Sequence, residues 1–310
     1  MSEKYQHQYR SIRTPADLRA IPGYEEVIDF SESSGRKLLE MLDDYQFAKI
    51  DEFPCGIKGC RTPHQYGYLV RTTDGKITNI GRDCGKRHLK LEFTKARKAF
   101  REKRKAADNL KSIMTIKEGL SPYEDRINNL LSLSRALNDC REVLREKMPL
   151  IHGAVVTMAE KGTNQIIQSR RMNKREAEIH YLHTGTSRKD YEGGRPTIEE
   201  AVARLDGCGY FRANLGLTLR KKLTPPIDEL KSLTAEQIER IKPKELENLS
   251  RNINNALRLI DWAESLAEIG LKFFSQDNIQ KLSLMGATPE QISRLGKEVE
   301  KLQTPRAHQR

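Results

Sequence analysis

Phe53-Pro-Cys55-Gly-Ile-Lys-Gly-Cys60-Arg-Thr-Pro-His64, followed nineteen residues later by Cys84-Gly-Lys-Arg-His88, decides how this chain is read. Five side chains of the kind that bind transition metals fall within 34 positions. Zinc asks for four soft or borderline ligands in a tetrahedron. The glycine-containing loop from Cys55 to Cys60 can curl two thiolates towards one point. Cys84 and His88 stand four apart, which puts them on one face of a helix. The expected ligand set is Cys55, Cys60, Cys84 and His88, holding one zinc ion. His64 is an alternative ligand or a supporting neighbour. Four protein ligands leave no open position for water, so the metal is expected to be structural rather than catalytic.

Between the two half-sites, Gln65-Tyr-Gly-Tyr-Leu-Val-Arg-Thr72 and Ile77-Thr-Asn-Ile80 flank Thr73-Asp-Gly-Lys76. Asp-Gly between two β-prone runs predicts a hairpin whose two central turn positions need positive φ. Knuckle loop, hairpin, then helix resembles the treble-clef zinc fingers, in which the knuckle and the helix start each give two ligands. The resemblance covers residues 53–90 only, and the Cys-x4-Cys knuckle is longer than the usual Cys-x2-Cys.

Charge is the second signal. The chain of 310 residues carries a net +12, with 32% charged residues, 37% hydrophobic and 6% aromatic. Lys58 to Lys111 holds 16 Lys/Arg against 5 Asp/Glu, and Lys161 to Lys222 holds 13 against 7. Positive charge concentrated in two blocks favours a polyanionic partner. Arg82, Lys86, Arg87, Lys95, Arg97, Lys98, Arg101, Arg104 and Lys105 lie on or beside the helix that the metal site opens. Glu92, Glu102 and Asp108 are too few to neutralise them within that helix. Arg170 and Arg171 belong to the second block. No apolar run approaches the ~20 residues of a membrane span, the stretch from Met1 to Arg13 lacks the apolar core of a secretory signal, and clustered cysteines with histidines point to metal before disulfide. A cytoplasmic place is expected, with the nucleoid as its site if DNA is the partner.

The pattern predicts a mainly α protein around a small zinc-binding finger. Residues 1–50 read as a helical lead-in, with Thr14-Pro15 as a start and Leu38, Leu39 and Leu42 on a helix; Tyr45 to Phe53 reads as a strand. The finger spans 51–90. A long helical hairpin over 84–160 follows, its first helix basic and running from Asp83 to about Ile116 with a near-heptad, coiled-coil-like stripe of Phe93, Ala96, Phe100, Ala107, Leu110 and Met114. Its second helix starts at a capping box, Ser121-Pro-Tyr-Glu124. Residues 161–225 form a mixed, irregular basic region with one helix over Thr197–Leu205. Residues 226–302 form a helical domain opening after Pro225-Pro226, with capping boxes at Thr234 and Thr288 and stops at Gly270 and Gly286. Residues 303–310 are a disordered tail.

These features lead to a non-enzymatic, zinc-stabilised nucleic-acid-binding protein, with duplex DNA preferred because few aromatics lie among the basic residues. An adaptor or scaffold built on the helical hairpin, meeting a protein partner through helical surfaces, is the second reading. A metal-dependent nuclease is the third. Glu178, His180 and His183 lack the His-Glu-x2-His arrangement that hydrolytic zinc chemistry uses. Met285-Gly-Ala-Thr288 between two short helices is similar to the turn of helix-turn-helix DNA binders, but Leu282 stands where a small residue is usual, which favours a plain helical hairpin.

Overall fold

The computed structural model describes residues 12–303, so the expected tail at 303–310 lies outside them apart from the Gln303 backbone. Helix accounts for 65% of the protein, and every sheet is small and antiparallel. The chain divides into two compact units, each built from separated stretches: one runs up to Lys117 and takes in Leu233–Arg251, the other holds Glu118–Ser232 and continues from Asn252.

The first unit begins with a short helix, α1 (Pro15–Arg19), capped by Thr14 in a reciprocal box with Asp17. Strand β1 (Leu38–Gln46) follows where the leucine spacing predicted a helix. Burial alternates along it, with Leu38, Met41, Asp43 and Tyr45 inward, and pairing with β4 decides in favour of the strand. The knuckle strands β2 (Phe53–Pro54) and β3 (Pro63–His64) come next, then the hairpin β4 (Tyr66–Thr72) and β5 (Ile77–Gly81). The turn differs from the expected two-residue form. Gly75 alone takes positive φ, at 85°, and Gly75 N–H and Thr72 N–H donate to Thr72 and Lys76 carbonyls. That is the longer loop in which a single left-handed residue closes the turn.

The sheet order β1-β4-β5 places β4 in the centre. Its period of two sends Tyr68 and Val70 to one core, with Ile80, Cys55, Cys84, Phe93 and Phe100. Leu69 goes to the other, with Ile12, Leu18, Tyr45, Phe47, Phe53 and Ile77. The finger is therefore no independent module. A third strand pairs with its hairpin, and apolar residues cover both faces.

The expected long basic helix is two helices, α2 (Arg82–His88) and α3 (Lys90–Glu118), separated at Leu89. Lys90 takes φ +40°, which an L-residue adopts only under constraint. Phe93, Phe100, Ala106 and Ile113 form the buried face of α3. The second unit starts at α4 (Ser121–Lys147), so the two helices of the expected hairpin belong to different units. Ser121 makes no side-chain cap, because it is already inside the first turn and Leu120 holds the capping position. Pro149–Lys161 is α5.

The region 161–225 is ordered. Strand β6 (Gln165–Arg171), helix α6 (Lys174–Thr184) and strand β7 (Thr197–Arg204) form a two-stranded ribbon with a helical insert, and β7 replaces the helix expected there. Pairing with β6 along its whole length outweighs the helical propensity of its glutamates and alanines. Helix α7 (Leu215–Thr218) passes through a π-helical turn (Leu219–Leu223) into α8 (Thr224–Ser232). The chain is thus helical before Pro225-Pro226 as well as after. The wider turn admits two residues that cannot donate, and the Thr224 hydroxyl bonds the Leu219 carbonyl. Helices α9 (Ala235–Arg240) and α10 (Pro243–Phe273) are separated just before Pro243. The boxes at Thr234 and Thr288 both form. Helices α11 (Gln276–Lys281) and α12 (Pro289–Gln303) complete the second unit, with Leu282 buried between them and α12 packed on α4.

Gly270 lies inside α10 rather than ending it. A Cβ there would stand 2.8 Å from the Tyr210 ring and 3.1 Å from Leu137. Replacing Gly270 by valine is expected to destabilise the second unit by about 1–3 kcal/mol through overpacking, read as a lower melting temperature with unchanged metal content.

Candidate metal centre

Strands β2 and β3 pair Phe53 with His64 and Pro54 with Pro63, and the loop they close carries Cys55 and Cys60. Cys55 N–H donates to the Thr62 carbonyl at 3.0 Å. Gly56 N–H donates to the Asn79 carbonyl of β5 at 2.8 Å, and its own carbonyl accepts from Ile28 N–H at 2.7 Å. A side chain at Gly56 would run into the Thr78 hydroxyl and the Asn79 carbonyl, so the knuckle can lie on β5 only with glycine there. Strand β5 then ends at Gly81, and α2 begins, bringing Cys84 back over the knuckle. The sulfurs of Cys55, Cys60 and Cys84 all lie within 4.8 Å of one another. Cys55 and Cys84 are buried and Cys60 is half-buried.

Three thiols this close cannot all ionise without a compensating cation. Burial raises the Cys55 thiol, partly offset by the Ile57 and Gly81 amides that point at its sulfur. Burial, joined by the neighbouring sulfurs, pushes Cys84 up to about 12. At Cys60 the same burial is outweighed by hydrogen bonds from the Thr62 hydroxyl and backbone, from Cys84 and from His88, and the thiol falls to about 6. The cluster by itself therefore favours one thiolate, at Cys60, and keeps Cys55 and Cys84 as neutral thiols. A thiophilic divalent cation reverses that balance, because its charge favours all three thiolates and the amides aimed at the sulfurs remain satisfied. The donor set fits such an ion.

His88 ends α2, exposed, and its imidazole interacts with Cys60 while standing outside the three-sulfur cluster. It is the histidine beside Cys60. His64 is held elsewhere. Its Nε2 meets the Tyr45 hydroxyl at 2.6 Å and its Nδ1 meets the Thr62 carbonyl at 3.2 Å. The carbonyl only accepts, so Nδ1 carries the proton and Nε2 accepts from Tyr45. Tyr45 in turn accepts from Asn79 Nδ2 at 3.2 Å, and Asn79 Oδ1 accepts from the Tyr24 hydroxyl at 2.6 Å. Burial lowers the His64 pKa, in keeping with a neutral ring committed at both nitrogens. His64 is thus a structural strut between knuckle and sheet and stands outside the three-sulfur cluster. Sequence reading did not find the chain Tyr24–Asn79–Tyr45–His64, though an asparagine inside the β-prone run Ile77–Ile80 marks a buried polar need.

The basic residues split into two groups. Arg97 donates to the Tyr68 hydroxyl at 2.9 Å and lies over its ring. Arg104 pairs with Asp44, Lys105 with Glu247 at 2.7 Å, and Arg170 with both Glu176 and Glu200 at 2.7 Å. The guanidinium of Arg171 packs against Gly193. Arg97, Arg104 and Lys105, for which the helix offers too few acids, and Arg170 of the second block are engaged by acids or a ring from other elements, which the sequence pattern alone does not reveal. Arg82 and Lys86 share Asp83, and Lys98 reaches Glu102 at 4.0 Å, all with exposed side chains. Arg87, Lys95 and Arg101 are exposed and make no ion pair among the described residues. Glu178, His180 and His183 do not converge as a metal cluster: His180 Nε2 meets the Tyr191 hydroxyl at 2.8 Å, and the three sulfurs form the one metal-type cluster among the described residues.

Titration with cobalt(II), whose thiolate charge-transfer absorption reports sulfur ligation, is expected to saturate at one ion per chain. Cys84→Ser should weaken binding by two orders of magnitude or more and His88→Ala by about tenfold to a hundredfold, whereas His64→Ala should leave the spectrum in place and lower thermal stability. No protein-family model, curated protein or solved structure matches the chain, so the meaning of the centre rests on its own chemistry.

Proposed function

We propose that this chain is a zinc-stabilised nucleic-acid-binding protein that lays the exposed cations of α2 and α3 along a phosphate backbone. Zinc is the ion that three cysteines and one histidine suit best, and His88 supplies the fourth ligand. The order knuckle, hairpin, helix supports a treble-clef-type centre whose task is to set the direction in which α2 leaves the sheet. The observation that carries the reading is the set Arg87, Lys95 and Arg101, exposed and without ion pairs among the described residues, beside Arg82, Lys86 and Lys98. An ordinary solvated helix face roughly balances the two signs; here eight Lys/Arg meet three Asp/Glu between Arg82 and Glu102. Duplex DNA is preferred to single strands because no aromatic platform lies among these cations.

A protein-adaptor role is a second reading, favoured by the β6–β7 ribbon. Its strands are exposed along almost their whole length, and Ile167, Ile198 and Val202 are among the exposed apolar residues. Nuclease treatment of the purified material separates the two: release of bound nucleic acid supports the first, a stoichiometric protein that survives it supports the second.

Gel-shift affinity measured in rising salt tests the main reading. Binding is expected to fall steeply with salt, and changing Arg87, Lys95 and Arg101 together to glutamine should reduce the slope by about 2–3. The same change at Arg104, Lys105 and Arg170 should leave the slope nearly unaltered. Absence of binding at low salt, or indifference to salt, sinks the proposal.

A further inference from the structure

Leu91 is 64% exposed at the start of α3. Single exposed leucines are ordinary on protein surfaces, and Ile50, Leu150 and Leu182 are more exposed still. What sets Leu91 apart is where the chain puts it. At helical spacing, Lys95 and Lys98 stand four and seven residues on and share its face, while Lys90 precedes it and Arg87 lies just before the break between α2 and α3. Ile50 has Lys49 on one side and Asp51 on the other, and Leu182 follows Glu178 at helical spacing. Leu91 therefore projects from a field of positive charge. Glu92 is next to it in sequence but about 100° round the helix, and Glu102 is three turns away, engaged with Lys98.

The backbone immediately before it is the second observation. Lys90 takes φ +40°, one of two non-glycine residues of positive φ among the described residues. This left-handed residue is what turns α3 away from α2, and it sets the register in which Phe93 goes to the core and Leu91 to solvent. Helix α2 is seated by buried Cys84 and Gly85, so the kink lies between the cysteine cluster on one side and buried Phe93 and Phe100 on the other. An apolar side chain is thus presented rigidly, at a bend, between cations.

We propose that Leu91 is a wedge that enters a base step of a DNA duplex while Arg87, Lys90, Lys95 and Lys98 hold the flanking phosphates. The inference rests on the nucleic-acid reading of this face. A wedge of this kind partly unstacks one step and bends the duplex, and the bend brings more phosphate within reach of the protein. The partner that offers anionic groups outside and apolar surface within reach is a stacked duplex. A lipid surface shares that description, but one leucine gives too little apolar burial to hold a protein there.

The full, metal-loaded chain is mixed with a duplex carrying 2-aminopurine at one position and fluorescent dyes at its ends. The wild type is expected to raise 2-aminopurine emission and bring the ends closer. Leu91→Ala should abolish both signals and weaken binding about tenfold while keeping the salt slope. Leu91→Lys should abolish both signals and steepen the slope by about one. Leu39→Ala, at an exposed leucine of β1, should change nothing. Salt-dependent binding by the wild type without any change in emission or end distance overturns the wedge and keeps the nucleic-acid reading; no salt-dependent binding at all overturns both. Unchanged signals in Leu91→Ala, or association with phosphatidylserine vesicles that Leu91→Ala removes while DNA signals persist, also overturn it.

Discussion

The contact of the knuckle with β5 is the constraint from which the rest of the first unit follows. Gly56 lies against the Thr78 side chain and the Asn79 carbonyl, donating to that carbonyl while Asn79 Nδ2 donates to the Pro54 carbonyl at 2.9 Å. Knuckle and sheet are thereby joined through both main chain and side chain. The strand that receives the loop also runs directly into α2, so the same contact that fixes Cys55 and Cys60 fixes where Cys84 arrives. A buried amide with unpaired hydrogen-bonding groups costs about 1–3 kcal/mol per group. That makes the Tyr24–Asn79–Tyr45–His64 chain a strong selector of one arrangement of loop against sheet.

The cysteine cluster and the apolar core are one continuous body here, which a small isolated finger does not permit. Cys55 and Cys84 belong to the same buried cluster as Val70, Ile80, Phe93 and Phe100. The sheet is covered on its other face by Leu18, Phe47 and Leu69. Much of the unit can therefore hold its shape through apolar burial, and a bound ion would relieve three crowded sulfurs and tie the short helix α2 to the knuckle. The direction of α3 is set at the left-handed Lys90. Function on the proposed reading is a consequence of orientation: cations that would otherwise move with a loose helix end are held at fixed spacing.

The cysteine cluster, the β4–β5 hairpin, the start of helix at Arg82 and the capping boxes at Thr234 and Thr288 were legible from residues alone, because each is decided by neighbours within a few positions. A thiol pair spaced by glycines, an Asp-Gly turn and a hydroxyl three residues before glutamine act locally. Leu38–Leu42 and Thr197–Arg204 were misread as helical for the converse reason. Their apolar spacing suits either period over so short a run, and the strands β4 and β6 that claim them lie about thirty positions away in the chain.

Sequence by itself determined that three cysteines group around the start of a cation-rich helix and that the protein is mainly helical. Tertiary structure decided which histidine faces the sulfurs, which cations remain free and where the helix breaks. Ligand type and charge are properties of single side chains and can be counted along the chain. Whether His64 turns to Tyr45 or to the metal, and whether Arg104 meets solvent or Asp44, depends on which distant residues packing brings within about 3 Å, and no local pattern carries that information.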